Sequence, residues 1–133
     1  MPSPELTGGA GFTFEDAAAA CYLAALVGGT TAPGLDARVV QRVAQQQADA
    51  GEPLDDVIVD ALAPVDSSLM RLSLQIKRSL TVSDAPSNTD FREVIQRSWQ
   101  TLQKTDFREH VDRVGAAVGN ISDDAYRNFT TVC

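Results

Sequence analysis

Residues 69–80, LMRLSLQIKRSL, constrain the fold more than any other part of the chain. Their side chains alternate as those of a β-strand do, and one face is entirely apolar: Met70, Leu72, Leu74 and Ile76. The opposite face ends in Gln75 and Lys77. This polar end has two interpretations: a solvated strand end, or a functional site built from polar side chains. The other segments of the sequence bear on this choice.

The two segments before this strand supply its partners. Residues 54–62, LDDVIVDAL, form a short apolar run with β-branched side chains, which indicates a buried strand. Residues 37–45, ARVVQRVAQ, are ambiguous, because Val39, Val40 and Val43 fit one face of a helix as well as a strand. The short connections between these segments predict an antiparallel meander of two or three strands.

A helix precedes the meander. Residues 12–29, FTFEDAAAACYLAALVGG, predict a helix that Thr13 caps and two glycines end. Cys21 lies among its alanines and leucines, so we expect a buried free thiol. The chain has 2 cysteines, which make no disulfide framework, and its longest apolar run is residues 17–27. Because a membrane span needs ~20 apolar residues, we expect a protein of the reducing cytoplasm without membrane contact.

A helix and a strand follow the meander. Apolar residues recur at helical spacing over residues 91–104, with Thr89 or Asp90 as the cap. Residues 112–120, DRVGAAVGN, predict another strand, and a further helix is expected after Ser122. The fold class is therefore a mixed α/β (α+β) domain on one sheet, ordered helix, antiparallel β-meander, helix, strand, helix.

Length and charge limit the domain organisation and the partners. We expect one domain over residues 12–133, after a flexible Pro- and Gly-rich lead-in over residues 1–11. The last segment starts like a helix and has no stop signal, so we interpret the chain as the N-terminal fragment of a longer multidomain protein. A net charge of -7 argues against a basic nucleic-acid coat. It does not exclude an enzyme that reaches phosphate through a metal.

The polar residues that interrupt the apolar pattern define a candidate site. Glu15 stands in the first turn of the first helix, Asp55 and Asp56 open the buried strand, and Gln75 and Lys77 end the next one. Carboxylate and amide oxygens suit hard cations such as Mg²⁺, and a lysine can orient water or stabilise charge on a phosphate. Because strand alternation sends Asp55 and Asp56 to opposite faces, we expect only one of them in the site.

Several segments together carry a family resemblance. PLDDVIV followed by LSLQIKRS resembles the D-(x)n-(D/E/Q)-x-K signature of the PD-(D/E)XK, or restriction-endonuclease-like, nucleases, and the glutamine resembles the Mrr-like Q-x-K branch. GGAGFTFEDAAAAC is similar to the first helix of that group. TDFREVIQRSWQ and DRVGAAVG are similar to the helix and strand that follow. The resemblance extends from residue 8 to about residue 119, and it implies a restriction-endonuclease-like core with residues 37–45 as the first strand.

The resemblance implies a role for each candidate. Asp56 would be the metal-binding aspartate, with Asp55 as the alternative, and Gln75 the second group near the metal. Lys77 would be the catalytic lysine, and Glu15 the helix-borne acid that assists the metal. The implied activity is Mg²⁺-dependent endonuclease cleavage of double-stranded DNA, with Mn²⁺ as the alternative cation. Such domains stand at the N-terminus of large bacterial anti-phage defence proteins, where NTPase and sensor domains follow. We expect homo-oligomers that form through other domains of the parent chain.

Other interpretations remain beside this one. The chain can be a catalytically inactive, nuclease-like interaction or oligomerisation module, or a small-molecule hydrolase that uses the same acids. Glu15 would then only favour the helix N-terminus, and Lys77 would end an exposed strand. We interpret Asp60 and Asp66 as turn acids, and Trp99 as a core or interdomain residue.

Overall fold

The computed structural model of the protein describes residues 9–120 and Arg127, with side chains from Phe14 onward. This part of the chain forms α1 (Gly9–Gly28), β1 (Val39–Gln45), β2 (Val57–Leu62), β3 (Leu69–Ser79), α2 (Thr89–Leu102) and β4 (Arg113–Asn120). The four strands make one sheet in the order β1-β2-β3-β4. The prediction of a mixed α/β (α+β) fold is confirmed. The helix expected after Ser122 lies outside the described residues.

The sheet combines two kinds of pairing. β1 pairs antiparallel with β2, and β2 pairs antiparallel with β3, so the predicted meander is confirmed. β4 pairs parallel with β3. Because a tight turn cannot join parallel strands, the chain crosses over one face of the sheet through α2 before it enters β4. α1 packs on one face of the sheet, and α2 lies on the other.

β1 is the segment whose sequence also fits a helix. In its pairing with β2, Val40 lies opposite Ala61 and Arg42 lies opposite Asp60, so Gln41 is an extra residue in a β-bulge. A bulge shifts the following side chains by one position. Val40 and Val43 consequently face the same side of the sheet although three positions separate them, and this spacing imitates a helical period.

Both faces of β3 are covered. Met70, Leu72, Leu74 and Ile76 pack in the hydrophobic core against α1, which contributes Ala19, Tyr22 and Ala25. On the opposite face Ser73 is 2% exposed and Gln75 is 5% exposed, and Gln75 bonds to a side chain of α2. The solvated-strand interpretation is therefore wrong for Gln75, which needs internal hydrogen-bond partners.

The helix boundaries differ from the predicted ones. α1 already begins at Gly9, so Thr13 lies inside the helix and is not its cap, and residues 9–11 do not belong to the lead-in. The predicted bounds of α2 lie two residues too far along the chain. Its cap is Asn88, whose side-chain oxygen accepts the N–H of Phe91 at 3.3 Å.

Cys21 is exposed, so the prediction of a buried thiol is wrong. Residues 17–27 of α1 are apolar on all sides, but only the side with Ala19, Tyr22 and Ala25 is buried against the sheet. Cys21 lies beside that stripe and not in it. None of the helices in the described part of the chain combines the length and the apolar character that a membrane crossing requires.

Two further side chains depart from the predictions. Trp99 is 63% exposed, so it is not a core residue. Asp60 is not a turn acid, because it lies inside β2 and is 7% exposed. Asp66 does lie in the turn after β2, where it accepts the N–H of Ser68 at 2.9 Å.

Asp112 joins the start of β4 to β3. Its Oδ1 accepts the backbone N–H of Arg71 at 2.9 Å, and its Oδ2 accepts the backbone N–H of Arg108 at 3.0 Å. The Arg108 guanidinium adds a bond of 2.7 Å to Oδ1. Burial opposes ionisation of Asp112, but these hydrogen bonds outweigh it and lower the pKa of this carboxyl.

We predict that Asp112→Asn lowers the free energy of unfolding by about 1–3 kcal/mol at neutral pH, because an amide cannot serve all these donors. A carboxyl whose pKa falls on folding stabilises the protein above its unfolded-state pKa, near ~4, and loses this contribution as the pH falls. The difference between wild type and variant in urea unfolding should therefore shrink between about pH 5 and about pH 3.

The matched control is Asp106→Asn, which removes an acid that is 65% exposed and 3.5 Å from Lys104. We expect a change below about 0.5 kcal/mol. Equal losses in both variants, or a difference that does not depend on pH, would contradict the role of Asp112.

Candidate functional site

A buried carboxylate–amide contact stands at one end of β2 and β3. The two strands run antiparallel with Val57 opposite Leu74, so residues just before β2 lie beside the second half of β3. There Asp56 Oδ2 accepts hydrogen bonds from Gln75 Nε2 at 2.7 Å and from the Ile76 N–H at 2.7 Å. Asp56 is 7% exposed. The antiparallel register thus joins two of the predicted site residues directly.

Asp55 belongs to the same cluster through α2. Its Oδ1 accepts a hydrogen bond from Arg97 Nη1 at 2.9 Å, and the same nitrogen donates to Gln75 Oε1 at 3.3 Å. Arg97 Nη2 lies 2.6 Å from Glu93 Oε1. The prediction that only one of the two aspartates reaches the cluster is wrong, because both precede β2 and strand alternation does not apply there.

Lys77 stands on the same face of β3 as Gln75. Its Nζ lies 3.8 Å from Glu93 Oε2, and its side chain is 22% exposed. Glu93 therefore lies between Lys77 and the guanidinium of Arg97. The ammonium is held at the edge of the cluster by a neighbouring carboxylate and retains access to solvent.

The cluster changes the ionisation of Asp56. Burial raises the pKa of this carboxyl, and the negative charge of Asp55 adds to the rise. The Ile76 N–H and the positive charges of Lys77 and Arg97 act in the opposite direction. The two hydrogen-bond donors that contact Asp56 are neutral N–H groups, so its negative charge is only partly compensated.

Glu15 approaches these acids from α1. Its Oε2 accepts a hydrogen bond from Gln46 Nε2 at 2.8 Å. Gln46 follows β1 with a left-handed backbone, φ 54°. Burial raises the pKa of Glu15, and the nearby charges of Asp56, then Asp16, then Asp55 raise it further. Glu15 therefore lies within the electrostatic field of the Asp56 cluster, although it contacts a different side chain.

Hydrogen bonds and ion pairs through Arg97 and Glu93 connect four of the predicted residues: Asp55, Asp56, Gln75 and Lys77. The fifth, Glu15, contacts Gln46 and acts on the aspartates through its charge. Sequence reasoning missed Gln46, Glu93 and Arg97. The last two form an ion pair across one turn of α2, at positions i and i+4. The i, i+4 spacing of the pair is visible in the sequence, but the contact of Arg97 with Asp55, 42 positions earlier, is not.

A second group of charges lies further along the same face and is organised differently. Arg71 contacts Asp60 at 2.9 Å and Glu52 at 3.3 Å, and Lys104 contacts Glu52 at 2.7 Å. These residues line a cavity of about 160 Å³. Each of these acids contacts a cation, whereas Asp56 contacts neutral donors.

The donor set of the Asp56 cluster suits a hard divalent cation. Its side chains offer carboxylate oxygens and one amide oxygen, which are the ligands that Mg²⁺ and Mn²⁺ take. No three His, Cys, Asp or Glu side chains among the described residues are arranged to hold a metal ion. The amide oxygen of Gln75 or backbone carbonyls would have to complete the ligand set.

Comparisons with protein-family models, with curated proteins and with solved structures found no match to this chain.

We predict that Asp56→Asn leaves the free energy of unfolding unchanged or raises it. Folding raises the pKa of Asp56, so its charged form is disfavoured in the folded protein, and an amide oxygen can still accept both N–H donors. The measurement is urea unfolding at neutral pH. The comparison is Asp60→Asn, which removes a buried acid from its contacts with Arg71 and Arg42. That variant should lose about 1–3 kcal/mol. Equal destabilisation by both substitutions would contradict the distinction between the two groups of acids.

Proposed function

We propose that this chain is a metal-dependent DNA endonuclease domain with a restriction-endonuclease-like core. The observation that carries the proposal is the buried contact of 2.7 Å between Asp56 and Gln75. Lys77 is the next side chain on the same face of β3. These are the residues to which the resemblance assigns chemistry, and they come from two separate segments of the chain.

The order of elements also supports the proposal. A helix, a three-stranded antiparallel meander, a crossover helix and a parallel fourth strand follow one another. The resemblance implies this order for a restriction-endonuclease-like core. The candidate residues stand at one end of the two central strands, where α1 and α2 each contribute a side chain to their surroundings.

Each residue of the cluster would have its own role in hydrolysis. Asp56, Glu15 and the amide oxygen of Gln75 would hold Mg²⁺, or Mn²⁺, with Asp55 as the alternative acid. When bound, such an ion supplies a Lewis acid for the phosphate oxygens. Lys77 would orient the attacking water and stabilise the negative charge that develops on the phosphate.

The reaction is the hydrolysis of a phosphodiester. The water oxygen forms a bond to phosphorus, and the bond from phosphorus to one sugar oxygen breaks. The leaving sugar oxygen takes up a proton, so the products are a phosphate monoester and a hydroxyl group. The chain's own contribution is to place a cation, an ammonium group and an acid around one phosphate.

The second candidate is a catalytically inactive, nuclease-like interaction or oligomerisation module. One observation favours it: Gln75 turns its NH₂ group, not its oxygen, toward Asp56. In a protein that keeps the fold but does not cut DNA, the hydrogen bond from Gln75 to Asp56 would serve only to hold the two strands together.

The proposal includes the setting of the domain. We propose double-stranded DNA as the substrate, a bacterial anti-phage defence protein of the cytoplasm as the parent, and homo-oligomers formed through other domains of that parent. The net charge of -7 supports this view, because a domain with so many acids needs help to hold DNA.

We predict that the chain relaxes and linearises plasmid DNA in Mg²⁺, and that Lys77→Ala and Asp56→Asn each reduce the rate at least about 100-fold. Loss of the charge stabilisation at the phosphate is the reason. Circular dichroism should show that both variants remain folded. The exposed turn acid Asp66 gives the control, Asp66→Asn, which should cut like the wild type. Equal cutting by all four proteins would indicate a contaminating nuclease and would contradict the proposal.

We also predict that the 133-residue chain alone binds a DNA duplex weakly, with a Kd no tighter than about 10⁻⁶ M at physiological salt. The cause is electrostatic repulsion between the acidic domain and the phosphates. Fluorescence anisotropy in Ca²⁺ measures this affinity. Tight binding with a steep salt dependence would show that the isolated domain needs no other part of the parent chain.

A further inference from the structure

The amide of Gln75 lies between a carboxylate and a guanidinium. Its Nε2 donates to Asp56 Oδ2 at 2.7 Å, and its Oε1 accepts from Arg97 Nη1 at 3.3 Å. A carboxylate only accepts hydrogen bonds and a guanidinium only donates them. The amide therefore satisfies both neighbours in one orientation. A half-turn would place NH₂ against the guanidinium and oxygen against the carboxylate, at a side chain that is 5% exposed.

This orientation opposes cation binding. Gln75 can serve a hard cation beside Asp56 only with its oxygen, and the amide presents nitrogen on that side. Asp55 Oδ1 also accepts its hydrogen bond from Arg97, at 2.9 Å. The guanidinium thus occupies oxygens on two of the side chains that a divalent cation would use.

We propose that Arg97 is an internal counter-cation that competes with the divalent cation for Gln75 and Asp55. The inference rests on the proposed function, since it concerns how the same cluster accepts its metal. Arg97 is a positioning residue that acts through the orientation of Gln75. Cation binding requires the amide to turn by half a rotation and the guanidinium to leave its oxygen.

The surroundings of Arg97 permit this exchange. Its side chain is 34% exposed, so the guanidinium has a path toward solvent. Glu93 on the same helix contacts it at 2.6 Å and provides a partner after it leaves Gln75. Glu93 also lies 3.8 Å from Lys77, so the released guanidinium would remain next to the ammonium.

The test is calorimetric titration of the 133-residue chain with Mn²⁺ and with Ca²⁺. We expect Arg97→Gln to bind each cation about 5- to 150-fold more tightly than the wild type, because the competitor is gone. The matched control is Arg92→Gln, which removes the same charge from the same helix. Arg92 donates to the carbonyls of Asp84 and Ala85 on another side of α2. Equal gains in the two variants would overturn the proposal, since only long-range charge would then be at work.

A double-mutant cycle isolates the part played by Gln75. In a Gln75→Met background, the gain from Arg97→Gln should shrink but stay above that of the Arg92→Gln control, because Arg97 still contacts Asp55 Oδ1 at 2.9 Å. A full gain without Gln75 would overturn the claim that Arg97 acts through the amide. Circular dichroism of each variant confirms that the comparison concerns folded proteins.

The test of Arg97 and the test of the proposed nuclease function can fail independently. Plasmid cutting by the wild type tests the nuclease, and the titrations test Arg97. A chain that cuts DNA but shows no specific gain in Arg97→Gln overturns the counter-cation alone. A chain that shows the gain but never cuts DNA overturns the nuclease alone. Absence of cation binding in both wild type and Arg97→Gln overturns the counter-cation as well.

Discussion

The burial of β3 on both faces is the constraint on which the site depends. An amide in the centre of a covered sheet has to find partners inside the protein, because leaving its groups unpaired costs more than a hydrogen bond gains. Gln75 meets this demand with Asp56 on one side and Arg97 on the other. Arg97 in turn contacts Glu93, and Glu93 lies near Lys77. One chain of polar contacts therefore links two strands and a helix.

The hydrophobic pattern of a single segment predicts its secondary structure where that structure does not depend on distant contacts. The alternation of residues 69–80 indicated β3 and its apolar face correctly. The β1 segment stayed ambiguous because a bulge at Gln41 places two valines three positions apart, and no local rule distinguishes this spacing from a helix. The prediction that Cys21 is buried is wrong for a related reason, because the sequence of an apolar helix does not indicate which side packs against the sheet.

The candidate site was predictable only as far as its residues lie on consecutive elements. Asp56 directly precedes β2 and Gln75 lies in the second half of the neighbouring antiparallel strand β3, so their proximity follows from the register. The contribution of α2 depends on how a crossover helix is placed over the sheet, and spacing in the sequence does not contain that information. Asp60 is a case in which the sequence predicts a turn acid and the structure differs. Its carboxylate pairs with Arg71 inside β2 and is buried there.

A glutamine at position 75 has a physical consequence that an acid would not have. A carboxylate there would stand against the carboxylate of Asp56 at hydrogen-bond distance, and two such groups cannot both ionise without a cation between them. The amide removes this repulsion and donates a hydrogen bond instead. The amide thus pairs with Asp56 inside the protein, and Arg97 pairs with the neighbouring acid, Asp55. Under the proposed function, an amide at position 75 gives the donor set one negative charge fewer than an acid would, and the cluster folds without a cation.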